Sequence, residues 1–392
     1  MKLEYANPES VNINSLGLSK IEELTQKAME DKITAGLNMI VVRYGKIVYH
    51  KSFGKLNLSE NSPSAPLDAL YSVRSVSKPI TGVIIMALYE QGLLDINDSV
   101  QKYIPEFQAE GKDAVKIHHL LTHTTGMCDE DMERYINENK DNFTFPGVIP
   151  TYLNSVKNRK EHLKWWLLSL RAPLTKPTGK EMSYCNTGYN ILGFIIKIVT
   201  GKSISIYAKE HLFKPLGMND TSYVKSASQI AGRVIERIPP EGQKISWMNS
   251  LGCFNRMSGC CSVSTTAYDL AIFGQMLLNK GEYDGKRILS EHSIELITTN
   301  QIPGVPAVYG SETFTEAAWG LGFNIQGVQS NYPTNKAYSH GGYAGSFLLI
   351  DPVLDLIIVT LKALNGDFTK DFGGLNEAVV DACTDYDDLK TR

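Results

Sequence analysis

Residues 71–92 read YSVRSVSKPITGVIIMALYEQG, and within them Ser75-Val76-Ser77-Lys78 places a hydroxyl and an amine one helical turn apart. Apolar residues at helical spacing follow, and Gly92 is a typical helix stop. Pro79 is tolerated only in a first helical turn, so the helix is predicted to begin at or just before Ser75. A serine there lies near unpaired backbone N–H groups and the positive end of the helix dipole. The stretch therefore predicts a serine nucleophile.

The Ser-x-x-Lys spacing is weak by itself, because it recurs at Ser52/Lys55, Ser99/Lys102 and Ser222/Lys225. Ser52 is predicted to lie in a strand, and the other two lie beside turn-like segments. None of the three opens a long apolar helix. The helix context singles out Ser75, for which the structural alternative is a helix-capping serine without a catalytic role.

Composition limits the classes of protein that fit. A chain of 392 residues suits two lobes, and 43% hydrophobic with 21% charged residues is ordinary for a globular protein. The net charge of −3 argues against nucleic acid or an anionic membrane as a partner, and no apolar run reaches the length of a transmembrane helix. A small-molecule substrate is expected, and the sequence makes no prediction of oligomeric state.

Cysteine usage and the first residues bear on location. Residues 1–20 contain no apolar core and no small-residue cleavage site, so no signal peptide is expected and a cytoplasmic location is predicted. The six cysteines, at positions 128, 185, 253, 260, 261 and 383, form no CxxC pair. They are expected to be reduced thiols.

Local patterns predict an α/β fold of the α+β type. The expected helices are 19–31 (opened by a Ser19/Glu22 capping box), the helix at Ser75, 190–199 (ended by Gly201), 265–280 and 375–383. The expected strands are 37–42 and 47–50, which form a hairpin, then 319–325, 346–350 and 356–361.

The two ends of the chain are predicted to share one antiparallel sheet flanked by helices, because neither end has enough strands for a sheet of its own. This predicts an α/β sheet domain of residues 1–79 and 265–392. A mostly helical domain of residues 80–264 is inserted into it, with the active site at the interface.

A serine nucleophile needs a base and oxyanion donors, and two further segments carry suitable groups. Tyr184-Cys185-Asn186 precedes the helix at 190, and His340-Gly341-Gly342 opens the strand pair near the C-terminus. Tyr-x-Asn recurs elsewhere in the chain, whereas His-Gly-Gly occurs once. The structural alternatives are a packed aromatic for Tyr184 and a histidine that only shapes the strand end for His340.

These motifs resemble those of one known family, the serine β-lactamase-like hydrolases related to class C β-lactamases, D-Ala-D-Ala carboxypeptidases, esterases and D-aminopeptidases. The similarity runs from about residue 35 to 365 and includes HLLTHTTG at 119–126 and FKPLGM at 213–218, in the family's order. The resemblance implies a β-lactamase/transpeptidase-like fold and a serine hydrolase without a cofactor or metal.

The resemblance also implies a role for each motif residue. Ser75 would be the acylated nucleophile, and Lys78 would help to deprotonate and orient it. Tyr184 would be the general base in acylation and the acid toward the leaving group, since a lysine beside a tyrosine favours the phenolate. Asn186 would bind Lys78 and the acyl side of the substrate.

His340-Gly341-Gly342 stands where lactamases of the family carry Lys-Thr-Gly. The backbone N–H groups of Ser75 and of Tyr343, which follows Gly342, would form the oxyanion hole. The missing lysine and hydroxyl are the groups that grip a carboxylate, so this departure is similar to the esterase and aminopeptidase members. A second departure is Cys185, which replaces the commoner serine.

Three other patterns have simpler interpretations. His119 and His123 lack the glutamate and third ligand of a zinc site, so their loop is interpreted as structural. Asp129-Glu130-Asp131 lacks the features of a calcium loop and is interpreted as a solvated face. Gly341–Gly345 leads into a strand rather than a helix, which argues against a phosphate loop.

The sequence therefore predicts a serine hydrolase that acts through an acyl-enzyme on Ser75, on small esters or compact amides and D-amino-acid derivatives. Three alternatives remain open. They are a β-lactamase or D-Ala-D-Ala carboxypeptidase, a transacylase, and a non-enzymatic sensor that acylates and stalls.

Overall fold

The protein is represented by a computed structural model that describes residues 2–57, 59, 61–154, 159–239, 241–243, 247–253, 258–309, 312–325, 333–366 and 372–390. The strands are β1 (Glu4–Tyr5), β2 (Thr34–Arg43), β3 (Lys46–Gly54), β4 (Tyr71–Ser72), β5 (Met182–Ser183), β6 (Ser264–Thr265), β7 (Glu282–Tyr283), β8 (Lys286–Arg287), β9 (Ala307–Tyr309), β10 (Glu312–Phe314), β11 (Asn324–Ile325), β12 (Tyr338–Gly342), β13 (Ser346–Asp351) and β14 (Leu356–Leu364).

The helices are α1 (Ser19–Glu30), α2 (Ser77–Glu90), α3 (Ile117–Leu121), α4 (Asp129–Asn139), α5 (Lys160–Ser169), α6 (Asn186–Thr200), α7 (Ile204–Ala208), α8 (Lys214–Leu216), α9 (Ala227–Ile230), α10 (Ala267–Leu278), α11 (Glu291–Thr298), α12 (Leu375–Asp381) and α13 (Tyr386–Leu389). A π-helical turn, Lys209–Phe213, joins α7 to α8. A 3-10 turn, Arg74–Val76, leads directly into α2.

One seven-stranded sheet contains strands from both ends of the chain, in the order β1-β3-β2-β14-β13-β12-β11. The contact between the two ends is the antiparallel pair β2–β14, which aligns Val41 with Ile358. This confirms the predicted sheet. Only β1, which pairs with β3 in parallel, departs from the antiparallel pattern.

Helices cover both faces of the sheet. Residues of β2 and β14 point alternately to opposite sides, so each strand contributes to a core on either face. On one face Ile40, Val42 and Val359 join the core that contains α2, α6 and α10. On the other face Met39 and Ile358 join the core formed with α1 and α12. Helices α3, α6, α7 and α8 extend the first core, and α6 begins at the predicted site residue Asn186.

The local predictions are largely confirmed. The β2–β3 hairpin turns at Tyr44 and Gly45, whose φ angles of 49° and 70° are those of a tight hairpin turn. Pro79 lies in the first turn of α2, as its missing N–H requires, but α2 begins at Ser77 and not at or before Ser75, which lies in the preceding 3-10 turn. Helix α6 starts four residues before the predicted position, and Gly201, with φ 71°, ends it as expected.

Two local predictions are wrong in detail. The expected strand at 319–325 is reduced to β11, because the chain turns at Gly322 (φ 111°) and packs the Leu321 carbonyl against Gly82 of α2. The Ser19/Glu22 capping box is absent. The Ser19 hydroxyl donates instead to the Leu16 carbonyl, and Glu22 forms an ion pair with Lys51.

Within the described residues, no single helix is long and apolar enough to cross a membrane, and one bent pair, Asn186–Thr200 with Ile204–Leu216, passes that test only jointly. Each of the six cysteines is a free thiol in the structure. The domain boundaries at residues 79 and 264 stay a prediction.

Candidate active site

The predicted nucleophile and lysine are in contact. Ser75 is half-buried in the 3-10 turn, and Lys78, the second residue of α2, is fully buried. The Lys78 ammonium donates to Ser75 Oγ (3.2 Å), to Asn186 Oδ1 (2.9 Å) and to the Cys260 carbonyl (3.3 Å). A buried lysine requires such partners, and here three oxygen acceptors hold it beside the hydroxyl.

Tyr184 lies over the same ammonium. The Lys78 Nζ atom is 4.5 Å from the centroid of the Tyr184 ring and 5.5 Å from the centroid of the buried Tyr189 ring. A cation at this distance is attracted to the face of an aromatic ring. The structure thus brings Ser75, Lys78, Tyr184 and Asn186 into one cluster.

The segment HLLTHTTG at 119–126 packs against Tyr184 and holds it in place. The His123 ring packs 4.4 Å from the Tyr184 ring, and its Nδ1 accepts a hydrogen bond from the Cys185 N–H (3.1 Å). The Ser183 N–H donates to the His123 carbonyl (2.9 Å), so His123 binds the residues on both sides of Tyr184 in the chain. The structural interpretation of this loop is confirmed. Among the described residues, no group of His, Cys, Asp or Glu side chains is arranged to hold a metal ion.

The interpretation of Asp129 as a solvated residue is wrong. Its carboxylate accepts from the backbone N–H groups of Asn186 (2.7 Å) and Thr187 (3.2 Å) and from the Thr187 hydroxyl (2.9 Å). It therefore caps the N-terminus of α6, where an anion is favoured by the unpaired N–H groups and the helix dipole. Asp129 is a positioning residue, because it holds the backbone whose side chain binds Lys78.

The Cys185 departure has a local explanation. Its buried thiol donates to Asp129 Oδ1 at 3.2 Å, which is a contact that a serine hydroxyl would also make. Burial and the nearby Asp129 charge raise the pKa of the Cys185 thiol well above its ordinary value. The residue is accordingly an inert donor in the Asp129 cap.

The strand end at His340-Gly341-Gly342 packs against the backbone that precedes Ser75, the predicted nucleophile. The Arg74–Val76 turn contacts β12 and β13. A Cβ atom added to Gly342 would lie 2.2 Å from the Val73 carbonyl oxygen, so only glycine permits this approach. Tyr343, 54% exposed, follows immediately, which places its backbone at the edge of the cluster.

Replacing Gly342 by alanine is expected to lower kcat/KM for a Ser75-dependent substrate about 100-fold, because misplacing a site by about 1 Å has effects of that size. Gly341→Ala is the matched control, since its added Cβ would meet only the Phe347 side chain, at an ordinary 3.7 Å. Steady-state kinetics and thermal unfolding of both variants test this. Equal activity of the two variants would contradict the expectation that the close approach of Gly342 to Val73 is needed for activity.

His340 is buried and electrically neutral. Its Nδ1–H donates to the Gly341 carbonyl (2.7 Å), which leaves Nε2 as an acceptor. Nε2 has no hydrogen-bond partner within the described part of the chain. Burial, reinforced by the Lys78 charge, lowers the pKa of His340 to about 3. His340 therefore supplies no positive charge at neutral pH.

The free energy of unfolding is expected to fall as pH drops from about 7 to 4. The pKa values of His340 (about 3) and His123 (well below 6.5) are lowered in the folded protein, mainly by burial. Below pH 6.5 the unfolded chain binds protons that the folded chain does not, so stability is present above this pH and is lost toward pH 3. A fully buried histidine contributes up to about 1.4 kcal/mol per pH unit.

Denaturant unfolding at several pH values tests this expectation. His340→Asn should flatten the dependence by up to about 1.4 kcal/mol per pH unit, because one titrating group is removed. The exposed His292 provides the control, since His292→Gln changes a side chain that stays in water in both states. An unchanged slope in His340→Asn contradicts the prediction.

Sequence reasoning missed the segment 258–265, which runs alongside residues 71–81. The Val73 N–H donates a hydrogen bond to the Val263 carbonyl (3.0 Å), and the Thr81 hydroxyl donates to the Gly259 carbonyl (2.7 Å). The Cys260 carbonyl is the third acceptor of Lys78. One signal in the sequence was the small residue Gly259, whose Cβ would lie 2.3 Å from the Tyr189 carbonyl oxygen.

Comparison with known proteins shows the family of the chain. A model of the family described as Beta-lactamase matches residues 21–383. The chain belongs to the beta-lactamase family. A Salmonella agona (strain SL483) protein provisionally named D-alanyl-D-alanine carboxypeptidase is 25% identical over an alignment 403 residues long, which covers 92% of this chain and 85% of the relative.

Solved structures of similar fold cover nearly the whole chain. EstCE1, described as a hydrolase with promiscuous acyltransferase activity, has a TM-score of 0.71 at 20% identity and covers 94% of this chain and 99% of its own. A family VIII carboxylesterase has a TM-score of 0.70 at 21% identity, with coverages of 94% and 98%. As a member of the beta-lactamase family, the protein is a serine hydrolase of the esterase/peptidase type.

Proposed function

We propose that this beta-lactamase family member hydrolyses small esters or compact amides, including D-amino-acid derivatives, through an acyl-enzyme on Ser75. The observation that carries the proposal is the position of Lys78. Its ammonium contacts Ser75 Oγ and Asn186 Oδ1 and lies 4.5 Å from the Tyr184 ring centroid. This is the arrangement that an activated serine requires, with a base and a fixed positive charge beside the hydroxyl.

In the first half of the reaction, Tyr184 as phenolate accepts the Ser75 proton while Oγ attacks the acyl carbon. The Lys78 charge stabilises the phenolate, and Asn186 orients the ammonium. Tyr184 then gives the proton to the leaving alcohol or amine as its bond to the acyl carbon breaks. In the second half, water attacks the acyl carbon while Tyr184 takes a proton from it. The bond between the acyl carbon and Ser75 Oγ then breaks, Tyr184 returns the proton to Oγ, and the acid is released.

The negative charge on the tetrahedral intermediate requires preorganised donors. We assign these to the backbone N–H groups of Ser75 and Tyr343. The support is the close packing of Gly342 on the Val73 carbonyl, which holds the two backbone segments together. The N-terminal end of α2 adds favourable electrostatics at Ser75.

The preference for esters and compact amides rests on His340. A β-lactam or a D-Ala-D-Ala peptide carries a carboxylate that is bound best by a cation with several donors. His340 is buried and neutral, with its Nδ1–H committed to the Gly341 carbonyl. A carboxylate placed here would gain no ion pair, so substrates without one are favoured.

The test is a panel of p-nitrophenyl acetate, p-nitrophenyl butyrate, D-alanine p-nitroanilide and nitrocefin with wild type and Ser75→Ala. We expect Ser75-dependent turnover of the esters or the anilide, with kcat/KM for nitrocefin lower by about tenfold or more. Mass spectrometry should find an acyl or fluorophosphonate adduct on Ser75. Nitrocefin as the best substrate, or an adduct elsewhere, contradicts the proposal. Added alcohols reveal transacylation by their ester products.

A further inference from the structure

Two adjacent cysteines lie beside the catalytic cluster with their sulfur atoms close together. The Cys260 thiol donates to Cys261 Sγ at 3.1 Å, and the Ser258 hydroxyl lies 3.0 Å from Cys260 Sγ. Both are free thiols. Cys260 is buried, and Cys261 is partly exposed. The two sulfurs need to approach by only about 1 Å to form a bond.

The peptide group between these cysteines takes part in holding the catalytic lysine. Its carbonyl, that of Cys260, accepts from Lys78 Nζ at 3.3 Å. The next carbonyl, that of Cys261, accepts from Arg74 Nη1 at 3.5 Å, one residue before the nucleophile. A change in this peptide group therefore acts directly on Lys78 and on the backbone at Ser75.

The surroundings favour a reactive sulfur on Cys261. The hydrogen bond from the Cys260 thiol lowers the pKa of Cys261, and the charges of Arg74 and Lys78 lower it further. The same contact raises the pKa of Cys260. The pair thus consists of one thiolate, which is the form that reacts with oxidants, and one thiol ready to react with the product.

We propose that Cys260 and Cys261 form an oxidation site whose closure into a disulfide inactivates the hydrolase. The oxidant is a hydroperoxide. The Cys261 thiolate attacks the terminal O–H oxygen of the hydroperoxide, and the O–O bond breaks. Hydroxide leaves from hydrogen peroxide, or alkoxide from an organic hydroperoxide, and takes up a proton, which gives a sulfenic acid on Cys261. The Cys260 sulfur then attacks the Cys261 sulfur, the S–O bond breaks, and water leaves. In total the two thiols lose two hydrogens, and the peroxide is reduced to two waters, or to water and an alcohol.

Disulfide closure places the Cys260–Cys261 peptide group inside a small ring. This ring limits the directions available to the Cys260 carbonyl and removes it from Lys78 Nζ. Lys78 then loses one of its three oxygen acceptors while it remains buried, which is costly for a cation. The Lys78 contacts to Ser75 and Asn186 loosen as a result. The expected loss of activity rests on the proposed function, whereas disulfide formation itself does not.

The experiment treats wild-type protein with hydrogen peroxide and then with dithiothreitol. Thiol alkylation followed by tryptic mass spectrometry reports on residues 257–280, a peptide whose only cysteines are 260 and 261. After peroxide, we expect neither cysteine of this peptide to be alkylated, and the peptide to weigh two hydrogens less than its reduced, unalkylated form. We also expect kcat/KM for p-nitrophenyl acetate to fall about tenfold or more. Dithiothreitol should restore both thiols and the activity.

Matched variants separate this site from general damage. Cys261→Ser, compared with its own untreated activity, should resist peroxide, whereas Cys128→Ser should respond as wild type does. Cys128 is the appropriate control because it is the other partly exposed cysteine. Thiols that remain alkylatable, or that gain oxygen without closing, overturn the oxidation site. If the disulfide forms and activity is unchanged, the inference that closure disturbs Lys78 is wrong. Failure of the proposed function is measured separately, because the untreated protein would then show no Ser75-dependent turnover.

Discussion

Replacing Ser75 by alanine is expected to lower kcat/KM for p-nitrophenyl esters by about 10⁴-fold or more, because the only atom that forms the covalent bond is removed. The substitution should leave the fold intact, since Ser75 is half-buried and the change removes one hydroxyl. The Lys78 ammonium keeps its contacts with Asn186 and the Cys260 carbonyl. The variant should also lose fluorophosphonate labelling entirely, which intact-protein mass spectrometry measures.

Ser52→Ala is the matched control for Ser75→Ala. Ser52 and Lys55 share the same spacing, yet Ser52 lies in β3, where its hydroxyl donates to Asn38 at 3.3 Å. Activity and labelling of Ser52→Ala should equal those of wild type. Persistent turnover in Ser75→Ala at more than about a hundredth of the wild-type rate would refute Ser75 as the nucleophile.

Replacing Tyr184 by phenylalanine is expected to lower kcat/KM by about 10²- to 10⁴-fold, the usual effect of losing a general base. The ring is retained, so its packing on His123 and its position over Lys78 persist. The lost function is proton transfer alone. Single-turnover kinetics with a p-nitrophenyl ester should therefore show slow acylation of Ser75, with the unfolding transition close to that of wild type.

Tyr189→Phe is the control for Tyr184→Phe, because the Tyr189 ring also lies near the Lys78 ammonium, 5.5 Å from it. The Tyr189 hydroxyl is buried and donates to the Leu121 carbonyl at 2.7 Å. Its removal should lower the free energy of unfolding by about 1–3 kcal/mol and change kcat/KM only a few-fold. If Tyr189→Phe proves the less active of the two, the assignment of the base to Tyr184 is wrong.

Much of the site was predictable because its signals are local. The helix after Ser75 follows from apolar spacing, Pro79 and Gly92, and its start distinguishes the Ser75/Lys78 pair from the other serines that have a lysine three residues later. The β2–β3 hairpin follows from Tyr44-Gly45, and the end of α6 follows from Gly201. Each prediction depends on residues within one or two turns of chain, where backbone conformation is set by near neighbours.

Other parts of the site were not predictable because they depend on contacts between distant segments. Asp129 looks like a surface residue until α4 meets α6, where it caps Asn186, 57 residues away. The Cys260 carbonyl carries no sequence signal, because every residue has one, and it reaches Lys78 across 182 residues. The predicted strand at 319–325 failed for the same reason, since Leu321 and Gly322 turn to meet α2.

The amino-acid sequence by itself determined the chemical nature of the candidate reactive groups, their order along the chain, and several of the helices and strands around them. These follow from side-chain chemistry and from short-range backbone preferences. Only the tertiary structure decided which groups share the Lys78 ammonium, that His340 is neutral, and that a cysteine pair touches the site. Burial and charge proximity depend on packing between elements, and packing is set by the whole chain at once.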